Sequence, residues 1–349
     1  MITRVPYMLG DIGHGFGGLD GTTVPKHMRD TAVFSTLLTG ESVKIIKSNK
    51  THRSWLTAVQ YFAPGTAADQ WLKKNGQKPF VGDLCPRKTR GCFGEEGENC
   101  IFSTGQLALP YAQLAMINRT LFYKKHPDLY MELLYHELEI WKNRAKKAKR
   151  KLAMRLNGTS DIRWEKLYPQ IFRDHPDVMF YDYTKVWERL LGKWGAPPPV
   201  MPRNYHLTFS RSEENDDAIE RLLKERHDVN VAMVFETRPK IGSAPAQPLP
   251  KVAFGRTVYD GDKHDLRFLD PPGVIVGLRA KGKLRREVKE RKSLFVIYDD
   301  QVGGARLPRA RTAGFGALGM QVDETPPGYV KVGVVTGRDT SGKSVRGED

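Results

Sequence analysis

Six short apolar runs recur down the second half of the chain at a nearly constant interval: "KLAMRLNG" from 151, "DVMFYDYT" from 177, "NYHLTFSRS" from 204, "VNVAMVFET" from 229, "KVAFGRTVYDGD" from 251 and "GVIVGLRAKG" from 273. Their starts lie 22 to 27 residues apart, and the earlier gaps hold helical or acidic segments such as "WEKLYPQIFRDHP" and "EENDDAIERLLKERHD". A helix between two strands carries the chain back to where the next strand can start in the same direction. The spacing therefore predicts βα units in a parallel sheet or barrel. The runs are apolar at consecutive positions, as strands covered on both faces must be.

An upstream run, "WLTAVQYFAP" at 55 to 64, reads as a further strand that stops at Pro64 and Gly65. Residues 106 to 150 carry apolar positions at three- and four-residue spacing, which predicts helices, with Asp128 as an N-cap. The expected fold is α/β: a partial or complete (βα) barrel of parallel strands over 36–300. Residues 1–35 read as an irregular N-terminal arm, and 301–349 as a Gly/Pro-rich C-terminal tail with one edge-strand candidate, "VKVGVV".

Polar residues follow each apolar run. In parallel sheets and barrels the carboxyl ends of the strands form the working face. From these positions Asp161, Asp182, Asp262 and His264 are the candidate catalytic groups, able to move a proton or hold a divalent cation. Asn157, Ser210, Arg279 and Lys281 are the candidates for holding a cofactor or substrate. A plain turn explains "DGD" at 260 to 262 equally well, since Asp and Gly are ordinary turn residues.

All three cysteines, Cys85, Cys92 and Cys100, lie in one stretch, 81–102, directly after the first strand candidate. No two are separated by the two to four residues usual in structural zinc sites, so zinc would need a fourth ligand such as His52 or His14. Three thiolates also match an iron–sulfur cluster with one iron left open, a position that S-adenosylmethionine can occupy. Three thiols without metal are the remaining possibility. Nearby, Arg87, Lys88 and Arg90 favour thiolates, whereas Glu95, Glu96 and Glu98 oppose them.

The net charge of +16 makes a polyanion a reasonable partner. A dense source is "KNRAKKAKRKLAMR", 142–155, with eight Lys or Arg in fourteen positions. It is either a nucleic-acid contact or the solvated end of a helix. No apolar run is long enough to cross a bilayer, and the N-terminus lacks a secretory pattern, so a cytoplasmic location is expected.

"MRLNGTSDIRWEKL", "FYDYTKV", "NYHLTFSRSEEND", "VNVAMVF", "DGDKHDLRFLDPPGVIVGLRAKGK" and the upstream "LLTGES" together resemble the phage gene product 88 family over roughly 35 to 298. The resemblance implies a phage origin and the host cytoplasm, and brings no established activity. This chain departs from the family's cysteine pattern through a longer interval between Cys92 and Cys100, filled by "FGEEGEN". In the order of its elements alone, the chain is also similar to radical S-adenosylmethionine barrels. These readings leave three functions open. One is a phage enzyme that binds an iron–sulfur cluster and S-adenosylmethionine and acts in nucleic-acid or nucleotide modification. Another is a cluster-free nucleic-acid-modifying enzyme, by base exchange or phosphodiester hydrolysis, using the strand-end carboxylates. The last is a non-catalytic basic protein that binds nucleic acid.

Overall fold

A computed structural model describes residues 36–302, except 41, 95–96, 193–196, 239, 241 and 282–283. The arm and the tail expected from the sequence lie outside the described residues.

The predicted runs become strands β1 to β10. In chain order these are Leu38–Thr39, Trp55–Gln60, Lys151–Arg155, Met179–Thr184, Tyr205–Ser210, Val231–Phe235, Val252–Ala253, Arg256–Asp260, Ile275–Arg279 and Val296–Ile297. They form one sheet in the order β1-β2-β3-β4-β5-β6-β9-β8-β7, with β10 alongside β6. Every neighbouring pair from β2 to β8 is parallel. The two outer pairs, β1 with β2 and β7 with β8, are antiparallel.

The sheet is open, so the complete barrel expected from the sequence does not form. Its edges are the two-residue strands β1 and β7. The run read as one strand from 251 is a hairpin, β7 and β8. Its turn residues Phe254 and Gly255 both have positive φ, at 49° and 75°, the left-handed geometry of a two-residue hairpin turn. The last apolar run, β9, inserts between β6 and β8, so space order departs from chain order there.

Strand alternation assigns the two faces. Ala58, Leu152, Met154, Phe180, Phe209, Val231 and Met233 pack into one core with α2 (Gly65–Lys74), α4 (Pro110–Lys125) and α5 (Pro127–Lys147), which contribute Leu72, Leu121 and Leu134. Here α1 is Val43–Thr51 and α3 is Arg90–Phe93. Fully burying side chains of this size stabilises by roughly 1.5–3 kcal/mol each. The α4–α5 break is local chemistry. Pro127 takes the first position of α5 and forces the residue before it, His126, out of the helical region, at φ −132° and ψ 64°. Asp128 therefore lies in the first turn of α5, and His126 holds the cap position expected of Asp128.

The opposite, inner face is covered by α1 and the segment 261–270. Ala153 and Tyr181 pack there against Leu266, with Trp55 and Phe268 alongside. Ser48 of α1 accepts a hydrogen bond from the Asp265 amide at 2.8 Å.

Candidate functional site

At the carboxyl end of the parallel strands the cysteine loop is tied down from several elements. Asp69 of α2 accepts hydrogen bonds from the Phe80, Val81 and Gly82 amides at 3.0 to 3.2 Å. Leu84 O accepts from the Asp161 amide at 2.9 Å. Beyond β5, Glu213 accepts from Thr89 Oγ1 at 2.9 Å and from the Gly91 amide at 2.6 Å. Only glycine fits at 91, because a Cβ there would lie 2.5 Å from Phe295 Cβ and 2.7 Å from the Glu213 carboxylate. Asn99 donates to Glu287, on the helix after β9, at 2.9 Å.

The Asn99 amide donates to Phe93 O at 3.1 Å, so the residue after Cys92 meets the residue before Cys100. Cys92 interacts electrostatically with both Cys85 and Cys100. All three are half-buried free thiols.

The cation they share is Lys185, the first residue after β4. Burial pulls the pKa of its ammonium down, but attraction to Cys92, Cys85, Asp161 and Cys100 more than offsets this and holds it above its ordinary value. Burial pushes the Cys85 thiol well above its usual range against the pull of Lys185. Cys100 is raised by burial as well, while the amides of Phe102 and Ile101 donate to its sulfur and draw it back. Cys92 Sγ accepts from the Thr89 amide at 3.2 Å.

The carboxylates chosen from the sequence are placed differently. Asn157, Asp161 and Asp182 belong to one buried network beside the cysteine loop. The Asn157 amide and side chain donate to Asp182 at 2.8 and 3.2 Å, and Tyr205 OH donates to it at 2.8 Å. Burial raises Asp182 to about 7, against Arg155 and these donors. Arg189, 2 % exposed, donates to Asp161, Glu165 and the Tyr205 hydroxyl at 2.7 to 2.9 Å. The second oxygen of Asp161 accepts from the Lys185 amide at 2.8 Å.

Asp262, Arg279 and Lys281 form a separate ion cluster at the ends of β8 and β9. Arg279 reaches Asp260 at 2.9 Å and Asp262 at 3.1 Å, and Lys281 pairs with Asp262 at 2.7 Å. His264 lies on the inner face, its ring 4.3 Å from that of His52 and its Nε2 3.5 Å from Asp270. Ser210 is the last residue of β5, and alternation with core residue Phe209 turns it to the inner face.

Lys185 and Glu213 are the residues this geometry adds. Lys185 directly follows a predicted strand, and that position was its only sequence signal. Glu213 had none, since its role depends on the contact with residue 91.

The donor set bears on each metal reading. His52 closes α1 beside the first residue of β2, whereas the cysteines lie beyond the last, so a whole strand separates them. His14 lies outside the described residues. Zinc therefore finds no fourth ligand in His52. Among the described residues no three His, Cys, Asp or Glu side chains are arranged to hold a single metal ion. A cluster imposes a different requirement, because its three thiolates bind three separate irons, and sulfurs that accept amide hydrogen bonds beside a cation fit that chemistry.

A model of the Gene product 88 family matches residues 43–298. The chain belongs to the phage gene product 88 family. The match takes in every strand of the gene product 88 sheet except β1, together with the whole cysteine loop. No curated protein and no solved structure matches it. The similarity to radical S-adenosylmethionine barrels expected from element order is therefore not supported by any match. Among the described residues, no helix is long and apolar enough to cross a membrane.

Proposed function

We propose that this gene product 88 protein is an enzyme that holds an iron–sulfur cluster through Cys85, Cys92 and Cys100 and binds S-adenosylmethionine at the open iron. The carrying observation is that Cys92 interacts electrostatically with both Cys85 and Cys100, and Lys185 with all three, at the carboxyl end of strands that run parallel in nearly sequential order. When bound, such a cluster supplies an open coordination position and a route for one electron. The chain's own groups have the complementary parts: Lys185 offsets thiolate charge, and amides from Thr89, Ile101 and Phe102 stabilise the sulfurs. Ser210, at the end of β5 on the inner face, is the candidate for contacting the cofactor or substrate. Nucleic acid or a nucleotide is the substrate class we assign, in keeping with the net charge of +16.

The cluster-free reading is less well supported. Asp161, Asp182 and Asp262 each accept hydrogen bonds from arginine, lysine, amide or hydroxyl donors, so a nucleophile, base or metal ligand among them would first have to break those bonds.

Anaerobic purification and reconstitution followed by iron and sulfide analysis tests the proposal. About four irons and four sulfides per chain are expected, with loss of both in C92A. A colourless, iron-free protein after reconstitution would overturn it.

A further inference from the structure

We propose that the segment 281–292, through its residues 284–292, is the nucleic-acid surface of this protein, and that it presents a single strand to the cysteine site. The inference rests on the reading of that site as the working end of the molecule. Residues 279–292 hold eight Lys or Arg against two Glu, matching in basic count the run at 142–155. Position separates the two.

The run at 142–155 closes α5 and enters the first residue of β3, so it lies at the amino end of the strands. Lys151 is paired with Trp55 at the start of β2. A strand of five or six residues spans roughly 17–20 Å, so this run is a sheet's depth from the cysteines. Committed charge does not separate the runs: Arg155 pairs with Asp265 and Lys142 with Glu139 and Asp177 in the first, and Lys281 with Asp262, Arg291 with Asp300 and Lys292 with Glu290 in the second.

The 281–292 segment lies at the other end. It leaves β9 at its carboxyl end, forms the helix Leu284–Lys289, and touches the cysteine loop through the 2.9 Å bond from Asn99 to Glu287. The chain then passes Gly91, next to Cys92, through Phe295, whose ring lies 6.0 Å from Lys185 Nζ. Arg286 and Lys289 are exposed on this helix. Two apolar side chains close in chain to these contacts are turned to solvent: Leu294, two residues after Lys292, at 58 %, and Ile101, two residues after Asn99, at 55 %. Cations for phosphates next to apolar side chains for base faces is the pattern of a single-strand surface. A duplex would keep its bases stacked away from half-buried sulfurs, so a base must be unpaired to reach them.

Fluorescence anisotropy of the full chain with labelled oligodeoxythymidylate and, separately, oligouridylate tests this and distinguishes DNA from RNA as the strand bound. The double variant R286E/K289E is expected to weaken binding about tenfold or more and to lower the slope of log affinity against log salt by about one to two. K146E/K147E, at the opposite end, is expected to change affinity by less than about twofold. The proposal is overturned if neither strand binds, if the α5 variant loses binding instead, or if the rim variant binds like the parent. Circular dichroism checks the fold of each variant, and R286Q/K289Q, expected to show a smaller loss in the same direction, replaces a charge-reversed variant that unfolds. Iron content reports separately on the cluster: a chain that takes up no iron but binds strands at 281–292 breaks that reading and leaves the surface standing.

Discussion

The sequence's two densest concentrations of reactive residues, the cysteine loop and the segment 260–270, fold into opposite kinds of structure. In 260–270 the charges neutralise one another and their neighbours. Asp265 lies 2.8 Å from Lys44 and 3.2 Å from Arg155, and Arg267 lies 2.9 Å from Asp270. Burial would raise the Asp265 carboxyl, but Lys44, Arg155 and Arg267 hold it well below the usual carboxylate range. The cysteine loop instead spends its polar groups on its backbone, through Asp69 and Glu213, and directs its sulfurs toward one shared lysine. The two regions differ in what their reactive atoms meet: opposite charges in 260–270, and backbone amides with one shared lysine in the cysteine loop.

The largest test of that contrast is Asp265→Ala. It leaves Lys44 and Arg155 without their shared counter-charge, and should cost about 3–5 kcal/mol in urea unfolding. A loss under about 1 kcal/mol would mean that 260–270 is no fastening. Glu213→Ala removes one acceptor for two donors at the less buried cysteine loop and should cost less, about 1–3 kcal/mol. It should also lower iron uptake on reconstitution, since the turn carrying Cys92 loses its anchor. Full uptake by the folded variant would show that Glu213 does not position Cys92.

Much of the sheet was legible because β3 to β6 and β9 are continuous apolar runs, and burial on both faces leaves that mark whatever the partners. The two-residue strands β1 and β10 are too short to show a period. The insertion of β9 between β6 and β8 is also invisible in sequence, since any buried parallel strand presents the same pattern to either neighbour. At the candidate site, residue type drew attention to the cysteines and the strand-end carboxylates alike, but it could not show that Asp161 and Asp182 would be saturated by Arg189, Asn157 and Tyr205. That outcome depends on contacts between residues 23 to 28 apart in the chain. The same holds for the interval between Cys92 and Cys100, a departure from the family's pattern whose inner ends, Phe93 and Asn99, are hydrogen-bonded.

Acid titration sharpens the contrast with a smaller effect. Burial, aided by Arg267, lowers His206 from 6.5 to about 4, and burial, Arg267 and His52 do the same to His264. Both are kept neutral by the fold, so their contribution is present above about 6.5 and is lost as pH falls toward about 4. Asp182 runs the other way. Its folded value of about 7 exceeds 3.8, so its contribution is present below about 4 and is lost as pH rises through about 7. His206→Gln should therefore flatten the acid side of the stability profile by on the order of 1–2 kcal/mol, and Asp182→Asn should flatten the neutral side. Thermal melting between about pH 4 and about pH 8 reads both. An unchanged acid limb in His206→Gln would show that the inner face admits the charged ring.

The smallest effect probes the cysteine loop itself. Lys185 lowers the pKa of Cys85 and of Cys100 while burial raises both. Lys185→Met removes that opposing pull, so less thiolate forms at a given pH, and iodoacetamide alkylation of Cys85 in the metal-free chain should slow several-fold. The effect should shrink above the thiol pKa, where both proteins are ionised, and it should not be reproduced by Lys281→Met, whose partner is Asp262. Slowing of equal size in Lys281→Met would assign it to net charge. Faster alkylation in Lys185→Met would show that the lysine covers the sulfur and does not tune it, and the cation shared by the three thiols would then be a lid on the site.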